Sequence, residues 1–416
     1  MVYKQFTQHV KTSNLFPQAD FEEILPDAER ILDKILDSAH SGELPIISLV
    51  NEGADLAEIC EFSEMIRGKF NNLVVLGTGG STLCGQALSA LRENKFGQNQ
   101  DITRVIYMQN IDPASWSEFL ATLDFEKTAF LTISKSGTSI ETLTQFLTCL
   151  EAAQHIDIKE HFFSITMPSD SPLRRISESY GIKIMEHDPN VGGRFSIFSL
   201  VGLIPAAVAG ADIAKIRKGG QNFLKNQAQD AAISASIHAA LMRNNIWQNV
   251  LLTYPDTLFC FNTWYRQIWA ESLGKNGTGS TPIRAMGTID QHSQMQLYLA
   301  GRKDKFFTYI TLACKGQGAS LKKVEDAELE YLSGKQIGDI FEVEQRATIS
   351  TMAEKGLPVR EIALAKLDEE TLGMLVMHLM LETIITARLL GVNPYDQPAV
   401  EDGKNLTRKI LKSGGL

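Results

Sequence analysis

Short β-prone runs, glycine- or serine-bearing loops and helical stretches succeed one another along this chain, and that alternation restricts the fold more than any other feature. Asn72–Leu76 reads as a strand, Gly77–Gly80 as a turn, and a helix follows from Ser81. Arg104–Met108 is a second strand; Lys127–Ile133 is a third, followed by the loop Ser134–Gly137 and a helix from about Thr138. Phe162–Thr166 and Ile182–Met185 continue the series. Strands separated by helices cannot pair as hairpins, so they form a parallel sheet covered on both faces. Around Ala211–Gln229 the chain turns polar (Lys215, Arg217, Lys218, with Gly219 and Gly220), and the boundary between two units is expected there. A second set of strands follows at Asn249–Thr253, Phe306–Ala313 and Val359–Leu364. The expectation is an α/β chain of two doubly wound units in tandem: an N-terminal helical segment over 1–45, a first unit over 46–215 and a second over 216–416. A chain of 416 residues exceeds what one hydrophobic core usually serves, which agrees. Within the first segment, Ile24, Leu25, Ile31, Leu32, Ile35 and Leu36 recur at helical spacing over Phe21–Ser41. No internal repeat or low-complexity segment links the two halves.

Charge and cysteine usage exclude several classes. A net charge of −9 speaks against nucleic acid as a partner, because phosphate backbones select a basic surplus. The five cysteines (Cys60, Cys84, Cys149, Cys260, Cys314) are scattered and show no CxxC spacing, so they are expected to be small buried residues in a reducing compartment. Residues 1–20 lack the apolar segment of a signal peptide. Phe195–Asp212 and Leu372–Leu390 are apolar, but the first carries Ser196, Ser199 and Pro205 and the second His378, Glu382 and Arg388. Such interruptions fit buried core helices rather than membrane spans, and a cytoplasmic protein is expected.

Two loops suit phosphate. In Leu76-Gly77-Thr78-Gly79-Gly80-Ser81 the glycines let the backbone approach an anion, and free amides at the helix start point toward it. No Gly-Lys-Ser/Thr follows, and Thr82 occupies the place of a third glycine, so neither a Walker loop nor a dinucleotide fingerprint is present. Taken alone this is equally well a tight turn. Ser134-Lys135-Ser136-Gly137-Thr138-Ser139 brings four hydroxyls and one cation, more than one helix cap requires. Glu141 then reads as a carboxylate at a helix start.

Further along, Gln267 and Glu271 lie four residues apart on a helix with Trp264, Arg266 and Trp269, so they share a face. A carboxylate in such aromatic surroundings suits a general base, although most glutamates near a helix end are merely solvated. His292, in Asp290-Gln291-His292-Ser293-Gln294, can exchange a proton near neutrality, although a lone histidine is more often structural. It has no neighbours at metal-ligand spacing, and neither a metal nor a redox cofactor is expected. Asp396 to Lys404 reads on its own as a polar Pro/Gly loop.

Taken in order, these segments resemble the phosphoglucose isomerase family from about Leu73 to Lys404. Gly77-Thr78-Gly79-Gly80-Ser81 is similar to its G-x-G-G-S turn, and Ser134 to Thr142 to its S-K-[ST]-x-[TS]-[TS]-x-E-T signature. Gly192-Gly193-Arg194-Phe195-Ser196 resembles G-G-R-[YF]-S; Gln267 to Lys275 resembles Q-x-x-x-E-S-x-G-K; Gln291-His292 resembles its Q-H pair, and Gln397 to Lys404 resembles Q-P-G-V-E-x-G-K. The resemblance implies two sugar-isomerase (SIS) domains, a homodimer and no cofactor, with an aldose–ketose isomerisation of glucose 6-phosphate and fructose 6-phosphate through a cis-enediol. It implies that Gly80, Ser81, Ser134, Lys135, Ser136, Thr138 and Ser139 bind the sugar phosphate. Glu271 would move the proton, Arg194 would stabilise the intermediate's charge, and Gln267 and Gln397 would contact substrate. His292, from a partner subunit, and Lys404 would open the ring.

The chain departs from the family pattern at Thr78, usually aliphatic, at Gly137, often Phe, and at Ala399, usually Gly. It is also shorter than many members, so reduced peripheral contacts are expected. The small residues Gly137 and Ser139 suggest a wider site that also admits mannose 6-phosphate. A non-catalytic sugar-phosphate-binding regulator of the SIS type is the rival from another class. It would keep the serine loops without needing Arg194, Glu271, His292 and Lys404 together.

Overall fold

A computed structural model describes residues 2–93 and 103–414. Ten strands form two five-stranded sheets: β1 (Tyr3–Phe6), β2 (Asn72–Leu76), β3 (Arg104–Met108), β4 (Thr128–Ile133), β5 (Phe162–Thr166), β6 (Lys183–Glu186), β7 (Gln248–Thr253), β8 (Thr281–Met286), β9 (Lys305–Leu312) and β10 (Val359–Leu364). The first sheet runs β3-β2-β4-β5-β6 and is parallel throughout. The second runs β1-β10-β9-β7-β8, and within it β8-β7-β9-β10 repeats the order of β3-β2-β4-β5. The central strands explain the parallel arrangement. Leu73–Leu76 of β2 and every residue of β4 are buried, as strands with helices on both faces require.

Two strands differ from expectation. Tyr3–Phe6, expected within a helical segment, pairs antiparallel with β10, Tyr3 facing Leu364 in the register. Four residues are too few to show a period, and what fixes β1 is distant: the Tyr3 hydroxyl is hydrogen-bonded to His378 Nδ1 in the interior. Strand β8 falls outside the expected set because Pro282 interrupts it. A proline is tolerated there because β8 is an edge strand paired only with β7. The polar stretch after Ala211, where the boundary between units is expected, is helical. It forms the helix Ile213–Asn226, whose Arg217 is buried and grips both carboxylate oxygens of Asp55 at 2.6 Å.

The apolar helix Glu369–Leu389 is the only described one long and apolar enough to cross a membrane, but most of it is buried within the fold. Gly373 meets Ile216 and Gly219 meets Glu370 so closely that a Cβ on either glycine would sit 1.9 Å from a backbone oxygen. This helix carries His378 and Glu382 into the interior. Glu382 accepts from Arg360 Nη1 at 2.6 Å and pairs with His238 Nε2 at 2.8 Å, all three essentially inaccessible. Burial would raise the Glu382 pKa, but Arg360 and His238 outweigh it and hold the carboxyl well below its usual range. Burial pushes His378 down to about 3. Of the cysteines, Cys84, Cys149 and Cys314 are buried as expected and Cys260 is partly so. Cys60 is exposed, because it falls on the outward side of the helix Ala54–Lys69.

Candidate active site

Ligands of doubly wound sheets bind beyond the carboxyl ends of the strands where the winding reverses. In the first sheet that point lies between β2 and β4, and the loops leaving these strands are the two singled out in the sequence. Gly79 has φ +58°, and the helix Gly80–Ser89 starts one residue earlier than expected. Gly80 has a second reason to be glycine: an ideal Cβ there would lie 2.2 Å from the Gly193 carbonyl oxygen and 2.7 Å from the Arg194 nitrogen. The Gly77–Ser81 turn is thus seated on the backbone that presents Arg194.

The second loop leaves only some of its donors open. Ser134 is buried, and its hydroxyl has no hydrogen-bond partner among the described residues. The Ser136 and Thr138 hydroxyls lie 2.9 Å apart. Ser139 stands at the N-cap of the helix Ile140–Ala152 without its side chain capping it, so the first amides of that helix stay open. Burial lowers the pKa of Lys135, and Asp188 opposes that shift. Glu141 is exposed on the first turn. Gly137 adopts φ +64°, and the room a side chain would need is taken by Ser171, whose Oγ would be 2.1 Å from an added Cβ.

The helix Phe259–Leu273 brings Gln267 and Glu271 over the first loop. Gln267 Nε2 donates to Glu271 Oε1 at 3.0 Å and would lie 2.9 Å from a Cβ on Gly79, while Gln267 Oε1 is buried without a partner among the described residues. Arg194 lies on the short 3₁₀ turn Gly193–Phe198 that precedes the buried helix Leu200–Val208. Its side chain is 2% exposed, yet all five of its donors are engaged. Nε donates to Ser272 Oγ at 2.9 Å. Nη1 donates to Glu271 Oε2 at 3.2 Å and Gln397 Oε1 at 2.7 Å. Nη2 donates to the carbonyls of Pro394 at 2.6 Å and Asp396 at 3.1 Å. Burial lowers the Arg194 pKa, and the Glu271 carboxylate counters that effect. Trp264 Nε1 donates to the Arg194 carbonyl at 3.0 Å, fixing the backbone as well.

The chain therefore brings Arg194, Gln267, Glu271 and Gln397 together beside the first loop. His292 and Lys404 stand apart from them. His292 is exposed on the turn after β8, with no hydrogen bond to the cluster among the described residues. Lys404 is exposed on the helix Glu401–Lys412, where it pairs with Glu401 at 2.7 Å. Sequence reasoning missed Ser272 and the Pro394 and Asp396 carbonyls as partners of Arg194. Ser272 is visible inside the Glu271 motif, but a backbone acceptor leaves no mark on residue type.

Residues 56–414 match the family model for phosphoglucose isomerase. A Methanococcus maripaludis protein named probable glucose-6-phosphate isomerase is 34% identical over 399 residues, spanning 92% of this chain and 88% of that protein. The Campylobacter jejuni protein named glucose-6-phosphate isomerase is 32% identical over 411 residues, spanning 96% and 98%. A crystal structure of a Thermus thermophilus protein described as hypothetical superposes with a TM-score of 0.88 at 31% identity, over 98% of this chain and 99% of that one. With two doubly wound sheets and a family match that extends through both, the chain belongs to the phosphoglucose isomerase family.

Proposed function

We propose that the chain interconverts glucose 6-phosphate and fructose 6-phosphate by moving a proton between carbons 2 and 1 of the open-chain sugar. One observation carries this reading: a partly exposed carboxylate, Glu271, is held at 3.2 Å by a buried guanidinium, Arg194, whose backbone is packed against the glycine turn at Gly80. Removing a proton α to a carbonyl requires a base at the carbon and positive charge where the oxyanion grows. Charge fixed in advance does this without reorganising at the moment of reaction. Glu271 takes the proton and returns it to the neighbouring carbon, and Arg194 balances the enediolate. Since every Arg194 donor is in use, its contribution is the fixed positive charge beside the developing oxyanion. Gly80, Ser81, Ser134, Lys135, Ser136, Thr138 and Ser139 take the phosphate, and the orphaned Ser134 hydroxyl supports this assignment.

Ring opening falls to His292 and Lys404. The exposure of His292 supports its delivery across a homodimer into the partner's site, with the exposed Ile289 beside it on the contact face. Lys404 reaches substrate once its helix closes on the cleft. The division near residue 215 is supported by the placement of β2–β6 before it and β7–β10 after it, while β1 crosses to the second sheet. A cytoplasmic setting fits a phosphorylated sugar as substrate.

The test is turnover of fructose 6-phosphate by chelator-treated protein, read through a coupled dehydrogenase, with Glu271→Gln in parallel and mannose 6-phosphate as a second substrate. Loss of activity by about 10³-fold or more in the variant supports Glu271 as the base. Survival of turnover removes it from that role. Binding without turnover in the unmodified chain turns the reading to a sugar-phosphate sensor.

A further inference from the structure

We propose that Lys275 is a positioning residue of this site, tying the end of the Glu271 helix to the strap that carries Gln397. The inference rests on the reading of Glu271 as the base. Lys275 lies two residues beyond the helix Phe259–Leu273, and its side chain is only 10% exposed. Nζ donates to the carbonyls of Glu271 and Ser272, both at 2.8 Å, and to that of Asn393 at 2.6 Å. An ammonium has three hydrogens, and all three are used. Two of the acceptors belong to the last helical turn, whose carbonyls have no partner within the helix. The third belongs to another element. The Asp396 carboxylate adds an ion pair at 3.5 Å.

A lysine that only capped the helix would not need Asn393. The strap 393–397 is instead held by two cations. Lys275 grips Asn393 and Asp396, while Arg194 grips the Pro394 carbonyl, the Asp396 carbonyl and the Gln397 side chain. Burial lowers the Lys275 pKa and the neighbouring Arg194 lowers it further, so the arrangement holds two like charges close together. What it gains is a fixed distance between the backbone of Glu271 and the strap. The strap then continues through Pro398–Val400 into the helix bearing Lys404.

The test replaces Lys275 by Met, which keeps an apolar stem and removes all donors. Turnover of fructose 6-phosphate, urea unfolding and amide exchange over 390–412 are then compared with the unmodified chain. The expected result is a kcat lower by about 10–100-fold, the size of effect that displacement of a catalytic group by about 1 Å produces. Faster exchange confined to the strap and the following helix is expected with it. A kcat within about twofold of the unmodified chain overturns the proposal, and so does a loss matched by uniformly faster exchange everywhere, which marks a purely structural role. Should Lys275→Met not fold, Lys275→Arg decides. Its planar fork keeps the charge but does not converge on three carbonyls, so kcat should again fall, and full activity would overturn the tie. An inactive unmodified chain would sink the isomerase reading instead, and strap exchange in the variant would still report on the tie.

Discussion

The substitution Gly80→Ala separates what this structure says about the first loop from what its motif alone says. A Cβ at position 80 would lie 2.2 Å from the Gly193 oxygen, 2.3 Å from its carbonyl carbon and 2.7 Å from the Arg194 nitrogen. Ordinary contact needs about 3.5 Å, so the helix Gly80–Ser89 and the Arg194 turn must part by roughly 1 Å. All three obstructing atoms are backbone, and no side-chain rotation relieves them. Overpacking of this kind costs about 1–3 kcal/mol of stability. The same displacement separates the proposed phosphate-binding turn Gly77–Ser81 from Arg194, so kcat/KM for fructose 6-phosphate should fall about 100-fold. Gly193→Ala is the control, because nothing lies within 4 Å of a Cβ there and its φ is not positive. Its unfolding free energy should stay within about 0.5 kcal/mol of the unmodified chain. Urea unfolding and the coupled assay on both variants decide the matter. Equal damage from the two, or a Gly80→Ala variant with unchanged stability and kcat/KM, would refute the claim that the loops are held in register by this contact.

Three further outcomes follow from the interior and the loop ends. Arg360→Met strands the Glu382 carboxylate in the core and should lower the unfolding free energy by about 3–5 kcal/mol in urea titration, with much of it restored when Glu382 is also made Leu. Burial holds His187, His238 and His378 below the ordinary histidine value, so the unfolded chain takes up protons that the folded chain refuses as pH drops below about 6.5. Stability is therefore present above that pH and lost on acidification. Glu382, also lowered, adds to the loss as pH falls below the carboxylate range, and Tm should decline from pH 7 to 4. Finally, Ser134→Ala should raise KM roughly tenfold while leaving urea stability unchanged or slightly higher, whereas Glu342→Ala, which strips the Cys314 and Lys315 amides after β9 of their shared acceptor, should cost about 1–2 kcal/mol of stability without moving KM; kinetics and unfolding measured on both variants expose any exchange of these roles.

Much of the fold was legible because its signals are local. Strands β2, β4 and β5 stand out as short runs dominated by apolar residues, and the helix Gln18–His40 shows its buried face through Ile24, Leu32 and Ile35. The signals that failed are those whose cause lies far along the chain. Tyr3 is a strand residue because of His378, and Pro282 is tolerated because β8 has one neighbour instead of two. The site divides in the same way. Gln267 and Glu271 share a helix face by spacing alone, whereas the convergence of Arg194, Gln397 and the 393–396 carbonyls depends on where the helix Glu369–Leu389 ends. The space over Gly137 depends equally on a distant residue, Ser171, and its size cannot be read from glycine itself.

The repeated strand order raises the question of why the proposed phosphate site falls on one unit and not on both. The second sheet reverses between β7 and β9, as the first does between β2 and β4. After β9 a run of backbone amides also forms, the type of concavity that gathers anions. There, however, Glu342 Oε2 accepts from the amides of Cys314 and Lys315 at 3.0 Å each, and Asp339 Oδ1 accepts from Gly316 at 2.9 Å. Both carboxylates come from the helix Ile337–Glu354, whose own start Asp339 caps. The second unit thus fills its amides with its own acids. In the first unit the helix after β4 turns its acid, Glu141, out to solvent and leaves the Ser134 hydroxyl and the first helical amides without partners among the described residues. The same topology gives a closed, self-satisfied loop where the following helix supplies a carboxylate inward, and an anion-ready one where it does not. Two residues' direction, rather than the fold, sets which half of the chain can receive a phosphate.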